Sequence, residues 1–539
     1  MNQANSQASK QPESKHKWWV LVAVCFGLFM ALLDVTIVNV ALPVIQHDLD
    51  ASFTSIEWVI SAYTLVFAVV LVTVSRLGDI FGRKTVFIAG LAVFTLGSLF
   101  CGLSSHFTLF NFSHIQTLNV FRGVQGLGAS AMMPLSLAII SSTFSGKERG
   151  IAIGIWGGIS GLATAIGPLV GGFLVDTINW QSIFFLNVPI GILGILLSLW
   201  AIQQSRDEQA SHQIDWFGFV TFTIFMFCAI YGLIRVNDAN MGWSSPTILW
   251  LWAIGLISLI VFIIGEWRVK SPMIDPRLFK IPSFTGSGIA GFCLSAGMYA
   301  LFLYISLYFQ NILGYDALQA GLRLLPFCIL SLILGPVSGA LMGKIQSKWL
   351  TVGGLALLAI GVWMMGGISA SDKAADWVIL IPGLMIAGFG NGLVNPPISN
   401  LAVGTVERHR SGMASGASNV MRQMGISFGT ALFGAILSNR YTAVLKDKIN
   451  DLNAPHLTAA IKHSIRSGLV KAGPMAGSTG FKGPQAAAYQ HNPLFGTLQD
   501  IGRTAFMSGT VTVIHLASII LLIGAVCSLF LIRQKDMKH

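Results

Sequence analysis

Charged side chains are scarce in this sequence. Lys, Arg, Asp and Glu make up 10% of its 539 residues, whereas 54% of the residues are hydrophobic. A typical soluble domain carries about 25% charged residues, so this composition excludes one. The apolar residues fall in blocks separated by short polar stretches, and each block matches the roughly 20 residues that a helix needs to cross a bilayer. The sequence therefore predicts an all-α polytopic membrane protein.

The sequence also has few residues arranged for catalysis or cross-linking. Its six cysteines lie singly inside apolar blocks, without the spacing of a metal site or a disulfide framework. His-Glu-x-x-His does not occur and no deep His/Asp cluster supports hydrolysis, which argues against an intramembrane enzyme. We therefore expect a protein that is not an enzyme and that needs no metal or cofactor.

The net charge of +11 does not indicate nucleic-acid binding, because the basic residues lie in short loops rather than on one polar surface. Cytoplasmic loops of membrane proteins retain Lys and Arg, so these loops set the orientation. We predict that both termini are cytoplasmic and that the chain lies in the cytoplasmic (inner) membrane. The basic residues predicted inside are Lys10, Lys15, Lys17, Arg76, Arg83, Lys84, Lys147, Arg149, Arg268, Lys270, Arg277, Lys280, Lys344, Lys348, Arg408, Arg410, Arg533, Lys535 and Lys538.

The apolar blocks predict fourteen membrane-spanning helices. They lie near residues 18–43, 54–75, 85–104, 114–143, 150–175, 183–202, 215–235, 247–267, 284–312, 318–344, 349–369, 376–403, 412–438 and 506–532. Residues 1–17 and 533–539 are predicted to be cytoplasmic tails. The long polar segment 439–505 is predicted outside, with a short amphipathic helix near Leu457–Val470.

Two parts of the sequence repeat. The stretches Gly126–Pro134 and Gly388–Pro396 place Gly, Gly and Pro at the same offsets, and the loop Ser75–Lys84 has a degraded counterpart in Gly339–Lys348. Internal repeats are typical of transporters, whose substrate site lies between the repeated units.

The repeat predicts two pseudo-symmetric six-helix bundles, residues 18–202 and 284–532, with two inserted helices and their linkers in residues 203–283. The charges are not repeated, because the second half has Leu384 at the offset of Arg122 and Gly343 at the offset of Asp79. The ionisable chemistry is therefore expected in the first bundle.

Asp34 is the clearest candidate for a functional residue. It lies about 16 residues into the first predicted helix, or ~24 Å from its start, too deep to reach water. An ionised carboxylate there costs several kcal/mol, and desolvation favours proton binding. We expect Asp34→Asn to fold normally, since the amide matches the carboxylate in size and removes a buried charge. The alternative is a structural carboxylate that only joins helices.

Arg122 is the second candidate, with Gln125 on the same helix face. A nearby Arg favours an ionised carboxylate, so its approach or withdrawal would switch proton binding. We predict that Asp34 and Arg122 couple protons to transport. The alternative for Arg122 is a role in helix packing alone.

Two further groups of residues are candidates for conformational change and substrate contact. Gly167, Pro168, Gly171 and Gly172 combine small residues that allow close helix contact with a helix-kinking Pro, which predicts a pivot or seal. Seven polar, aromatic or sulfur-bearing residues are candidates for a substrate cavity, although packing is an alternative for each: Met30, Glu57, Trp58, Tyr63, Gln125, Tyr304 and Tyr308.

These motifs resemble those of the major facilitator superfamily, and specifically of its fourteen-helix drug/proton antiporter branch. Leu33–Pro43 is similar to the branch's helix 1 signature, in which the Asp is implicated in proton coupling. Arg122–Gly126 resembles the helix 4 motif tied to proton transfer, and Gly167–Gly172 resembles the antiporter motif of helix 5.

The resemblance also covers two loops, with departures. Ser75–Lys84 resembles the loop between helices 2 and 3, which implies a conformational latch that uses Asp79, Gly82, Arg83 and Lys84. The family usually has Gly at the position of Ser75 and a basic residue at that of Ile80. Trp180–Pro189 resembles the stretch before helix 6, but Gln181 replaces a usual Arg.

The resemblance implies the major facilitator fold and proton-coupled export of small lipophilic compounds, cationic or zwitterionic, by alternating access. Export of a dedicated metabolite or lipid is an alternative, and a non-transporting membrane sensor is another. The expected partners are small-molecule substrates, protons as the coupling ion and the lipid bilayer, with no nucleic acid. We expect a functional monomer, and the sequence does not indicate whether a periplasmic adaptor is needed.

Overall fold

The first half of the chain folds as a bundle of long helices followed by an inserted pair. The computed structural model describes residues 14–144, 146–206, 215–236, 241–269, 272–407, 411–452, 459–478 and 495–537, and every regular element in these ranges is helical. The first bundle contains α1 (Ser14–Asp48), α2 (Phe53–Phe81), α3 (Arg83–Leu103), α4 (His114–Thr143), α5 (Gly146–Thr177), α6 (Ser182–Phe185) and α7 (Asn187–Ala201). The inserted helices are α8 (Trp216–Arg235) and α9 (Pro246–Arg268).

The second bundle is less regular than the first. After a short 3-10 helix at Pro276–Lys280, it contains α10 (Pro282–Leu294), α11 (Ala300–Leu307), α12 (Ala317–Arg323), α13 (Leu325–Leu341), α14 (Ser347–Met364), α15 (Ile381–Gly404), α16 (Ser411–Asn450), α17 (Ala459–Ser478) and α18 (Phe495–Leu531). Single π-helical turns at Ser295–Tyr299 and Tyr308–Ile312 follow α10 and α11. The predicted helix 284–312 thus corresponds to one continuous span, Pro282–Ile312, that contains two π-helical turns. Such turns frequently mark functional sites.

The spans of the structure are consistent with the fourteen predicted from the sequence. Among the described residues, eleven helices are long and apolar enough to cross a membrane. Three shorter apolar helices, Ser55–Leu71, Ile166–Thr177 and Leu325–Leu341, lie within α2, α5 and α13. Each of the fourteen predicted spans therefore coincides with an apolar helix of the structure.

The repeated glycines make equivalent contacts in the two bundles. A Cβ added at Gly126 of α4 would collide with the carbonyl oxygen of Tyr63 in α2, and one at Gly388 of α15 would collide with that of Phe327 in α13. Both helices therefore pack directly on a neighbouring backbone, which small residues allow. The predicted architecture of two pseudo-symmetric bundles plus an inserted pair is confirmed, whereas its exact domain boundaries stay a prediction.

Several helices extend beyond their predicted ends. α1 runs through Pro43 to Asp48, because neighbouring helices and local adjustment can satisfy the backbone group that a proline frees. Much of the predicted outer loop 439–505 is also helical: α16 continues to Asn450 and α18 begins at Phe495. The predicted short helix at Leu457–Val470 overlaps α17.

An apolar stripe explains the extension of α16. Tyr441, Leu445 and Ile449 are spaced four residues apart and are buried, so one face of the helix packs against the protein while the polar residues between them face outward. High polarity masked this helical period in the sequence. Residues 453–458 and 479–494 of the predicted loop, and residues 1–13 and 538–539 of the predicted tails, lie outside the described ranges.

The two bundles touch at mid-depth and at the end predicted to be extracellular. The Thr64 hydroxyl of α2 lies 2.5 Å from that of Ser427 in α16. Gln310 donates a hydrogen bond to the carbonyl of Val40 at 3.3 Å, and the backbone N–H of Leu318 donates to the Asp176 carboxylate. Polar contacts therefore join the two bundles, in addition to the packing of α5 on α12.

Candidate functional site

Asp34 lies at the centre of a polar cluster inside the first bundle. Its side chain is completely buried, and it forms an ion pair with Arg122 of α4. The Gln125 amide donates to Asp34 Oδ1 at 2.8 Å, and the Asn187 amide donates to the same oxygen at 3.3 Å. Both predicted coupling residues and the predicted cavity residue Gln125 thus meet at one point.

Arg122 is held on several sides at once. Its Nε donates to the carbonyl of Val59 at 3.0 Å, and its Nη1 donates to Gln125 Oε1 at 2.7 Å. The guanidinium carbon lies 4.5 Å from the ring centroid of Tyr63, a cation–π distance. Arg122 therefore keeps contacts with α2 and α4 that do not depend on the charge of Asp34.

Two members of the cluster escaped the sequence prediction. Asn187, at the start of α7, bridges Asp34 to Ser98 of α3, and its amide donates to the Ser98 hydroxyl at 3.0 Å. Ser98 in turn donates to the carbonyl of Phe184 at 2.9 Å. Asn187 was visible in the motif before helix 6, but only the fold brings α7 next to α1.

The centre of the cluster is a buried ion pair with hydrogen bonds to both partners. A buried ion pair is stable only when hydrogen bonds satisfy both partners, which Gln125, Asn187 and Val59 do here. Protonation of Asp34 would remove the ion pair and leave the Arg122 charge buried. The pair also changes the expectation for Asp34→Asn, because the amide would not remove a lone charge but would separate a charge from its partner.

The glycines of α5 pack on α1 two and three residues after Asp34. A Cβ at Gly167 would overlap the Thr36 side chain, and one at Gly171 would lie 2.8 Å from Ile37 Cγ1. The carbonyl of Pro168, which lies inside α5, would in turn be struck by a Cβ at Gly321 in α12 of the second bundle. Gly172 is buried in the same helix. This part of α5 therefore lies between the Asp34 helix and the second bundle.

Comparison with known proteins identifies the family. The family model of the Major Facilitator Superfamily matches residues 24–430. The chain belongs to the major facilitator superfamily. It is thus a polytopic membrane transporter, as the sequence motifs predicted.

Relatives of this transporter carry resistance names. It is 34% identical to the multidrug resistance protein Stp of Mycobacterium tuberculosis over 83% of this chain and 79% of the relative. It is 30% identical to the tetracenomycin C resistance and export protein of Streptomyces glaucescens (95% and 91%) and 28% identical to the multidrug transporter MdtP of Bacillus subtilis (97% and 94%).

Solved structures support the fold. A bacterial homolog of the human lysosomal transporter Spinster, in an inward-facing and occupied conformation, aligns with a TM-score of 0.60 at 16% identity, covering 98% of this chain and 99% of the other. The human organic anion transporter MFSD10 aligns with a TM-score of 0.54 at 13% identity, covering 94% and 99%. At these identities the likeness shows the fold alone, and it confirms the predicted major facilitator fold.

The predicted latch of the transporter forms the turn between α2 and α3. Gly82 has a φ of +102°, which side chains disfavour, so the turn requires glycine. Lys84 Nζ donates to the carbonyl of Leu199 at 2.7 Å, and the Arg83 N–H donates to that of Ser205 at 2.9 Å. These contacts tie the turn to the end of α7. The Asp79 side chain lies outside the described part of the structure, and the latch stays a prediction.

The predicted cavity residues of the first bundle do not share one location. Met30 and Tyr63 are buried within the bundle, and the Tyr63 hydroxyl donates to the carbonyl of Ala31 at 3.1 Å. The Trp58 ring lies 6.0 Å from the ring of Tyr231 in the inserted helix α8. Glu57 is completely buried, and its carboxylate lies against Gly434 of α16, between the two bundles.

The two predicted cavity residues of the second bundle are buried beside a π-helical turn. The Tyr304 ring lies 6.3 Å from that of Phe433 in α16. The Tyr308 hydroxyl donates to the Asp372 carboxylate at 2.7 Å, at the end predicted to be extracellular. Contact of these residues with substrate stays a prediction.

Proposed function

We propose that this transporter is a proton-coupled antiporter that exports small lipophilic compounds from the cytoplasm by alternating access. The observation that carries the proposal is the completely buried Asp34 carboxylate, ion-paired to Arg122 and hydrogen-bonded to two amides. Intramembrane carboxylates of this kind mark proton relays in pumps and transporters. The names of Stp and MdtP support drugs as the exported compounds.

Proton binding would act first on the ion pair. When Asp34 takes up a proton from the outer side, its attraction for Arg122 falls, and the guanidinium relies on Val59, Gln125 and Tyr63. The two protonation states therefore favour different arrangements of α1 against α4. A proton can drive a conformational change only if it binds the two conformations with different affinity, and this ion pair would supply that difference.

The α1–α5 contact offers a path from this switch to the bundle interface. Thr36 and Ile37 lie two and three residues after Asp34 and pack on Gly167 and Gly171 with no room for a side chain. A shift of α1 must therefore move α5. Because α5 touches Gly321 of α12 at Pro168, the movement reaches the second bundle.

Transport in proteoliposomes tests the proposal. Purified wild type should accumulate ethidium or tetraphenylphosphonium against its gradient when a pH gradient is imposed, and a protonophore should abolish this accumulation. Asp34→Asn should lose the gradient-driven accumulation. Glu148→Gln, which changes an exposed carboxylate of α5, is the matched control and should behave as wild type.

Glu57→Gln tests whether Glu57, rather than Asp34, is the coupling group. If Asp34→Asn retains gradient-driven accumulation while Glu57→Gln loses it, the coupling site is Glu57 and not Asp34. If wild type moves these compounds equally with and without the gradient, the antiport proposal is wrong.

Export of a single dedicated metabolite is a second candidate. The relative from Streptomyces glaucescens is named for resistance to and export of one compound, tetracenomycin C. A panel of structurally unrelated compounds in a pump-deficient host distinguishes the two functions. Protection against several unrelated compounds supports multidrug export, whereas protection against one chemical class supports a dedicated exporter.

A further inference from the structure

A second candidate binding site lies outside the first bundle, where the inserted helices meet the second bundle. A groove of about 530 Å³ opens between α8, α9, the 3-10 helix Pro276–Lys280 and α16. It lies near the ends of α8 and α9 that are predicted to be cytoplasmic. Its volume falls in the range of about 300–1,000 Å³ that drug-sized ligands occupy.

The groove contains a buried acid in an otherwise apolar lining. Glu266 of α9 lines it and is only 2% exposed. Its Oε2 accepts a hydrogen bond from the backbone N–H of Ile274 at 3.1 Å. Within the described residues, Oε1 has no hydrogen-bond partner. A buried carboxylate oxygen without a donor favours a cationic ligand, because the ligand's charge offsets the cost of burial.

A second carboxylate adds to the negative charge beside Glu266. Asp215 Oδ1 accepts from the N–H of Gly218 at 2.7 Å, and Oδ2 accepts from that of Met273 at 3.4 Å, so its two oxygens are occupied. A Cβ at Gly218 would meet both Glu266 Oε1 and Asp215 Oδ2, which places the two carboxylates side by side. Two carboxylates this close repel each other when both are ionised, and a bound cation relieves that repulsion.

Aromatic rings line the same groove as this acid, and the face of such a ring attracts cations. The rim already shows that attraction, because Lys280 Nζ lies 4.7 Å from the ring centroid of Trp267. Lys280 also lines the groove, so its positive charge opposes the binding of a cation there. The aromatic residues that line the groove are Phe222, Phe225, Phe262, Trp267 and Phe279.

We propose that this groove is a binding site for lipophilic monovalent cations of drug size, held by the Glu266 carboxylate and the surrounding aromatic rings. The cation reaches the groove from the membrane, because Ile263 and Trp267 on its rim are exposed on the outer surface of the helices. Binding here does not require proton coupling at Asp34, so the two proposals stand or fall separately.

Protection of an introduced cysteine tests the site directly. Met421 of α16 lines the groove and is partly exposed. In the full-length protein in lipid nanodiscs, modification of Met421→Cys by N-ethylmaleimide is followed by mass spectrometry of its peptide. Tetraphenylphosphonium should slow the modification, whereas tetraphenylborate, of the same shape and opposite charge, should not.

Variants of the two charged groove residues should shift protection in opposite directions. Glu266→Gln should raise the half-protecting concentration of tetraphenylphosphonium at least tenfold. Lys280→Ala should lower it, because it removes a like charge and uncovers the Trp267 ring; a misfolded variant would not give this result. Glu148→Gln, at an exposed carboxylate of α5 that does not line the groove, is the control and should leave it unchanged.

Three results would overturn the proposal. The first is modification of Met421→Cys at the same rate with and without tetraphenylphosphonium. A groove that lipid already fills would give this result too, and it would equally overturn the proposal. The second is equal protection by tetraphenylborate, and the third is unchanged protection in Glu266→Gln. Asp34→Asn should retain protection while losing gradient-driven transport, which separates failure of this site from failure of the antiport proposal.

Discussion

Separating the charges of Asp34 and Arg122 should destabilise the transporter as well as uncouple it. Removing one partner of a buried ion pair costs about 3–5 kcal/mol, because the other charge is left buried without compensation. In Asp34→Asn, Arg122 keeps its hydrogen bonds to Val59 and Gln125 and its contact with the Tyr63 ring. We therefore expect a loss near the lower end of that range, about 3 kcal/mol.

The double variant Asp34→Asn/Arg122→Gln separates stability from coupling. It removes both charges, so its remaining cost is that of weakened neutral hydrogen bonds, about 1–2 kcal/mol in total. The double variant should therefore be more stable than either single variant. It should still fail to drive transport with a pH gradient, because no titratable carboxylate remains at position 34.

The assay measures unfolding and transport on four proteins: wild type, Asp34→Asn, Arg122→Gln and the double variant. The free energy of unfolding is measured by denaturant titration in mixed micelles, and gradient-driven uptake is measured in proteoliposomes. Equal stability of Asp34→Asn and wild type would refute the ion-pair reasoning, as would a double variant less stable than both single ones. Gradient-driven transport by the double variant would refute Asp34 as the coupling group.

Three further predictions follow from the packing and the charge bias. Gly167→Leu should impair efflux and cost about 1–3 kcal/mol of stability, because the larger side chain overpacks against Thr36. The control is Gly157→Ala in the same helix, where a Cβ meets nothing within 4 Å; it should match wild type in both uptake and unfolding measurements. The double variant Thr64→Cys/Ser427→Cys should form a disulfide under mild oxidation, because the native hydroxyls lie 2.5 Å apart. The disulfide should stop transport, and its reduction should restore it. Unimpaired transport by the cross-linked protein would show that this contact does not open. Cysteines at Lys147 and Gly480 should react from opposite sides of the membrane, and labelling of both by an impermeant reagent in intact cells would contradict the fourteen-span topology.

Composition and periodicity were sufficient to predict the architecture from the sequence. A bilayer imposes one length and one polarity on every span, so apolar blocks near 20 residues reveal helices without knowledge of their neighbours. The repeat of Gly126 and Gly388 predicted two similar bundles. The prediction succeeded because each glycine allows its helix to pack directly on a neighbouring backbone. Asp34 stood out for a similar reason, since a charge at that depth is costly wherever its neighbours lie. The prediction failed where polarity masked an apolar stripe, as at Tyr441, Leu445 and Ile449.

Only the tertiary structure determined which side chains meet. Asp34 and Arg122 are 88 residues apart, and Asn187 lies 153 residues from Asp34, so no spacing rule could join them. The pairing also reversed the expected consequence of Asp34→Asn, because the stability of a buried charge depends on its partner and not on its depth alone. The same holds for the groove beside Glu266: it is formed by α8, α9 and α16, helices that are distant in sequence and come together only through packing.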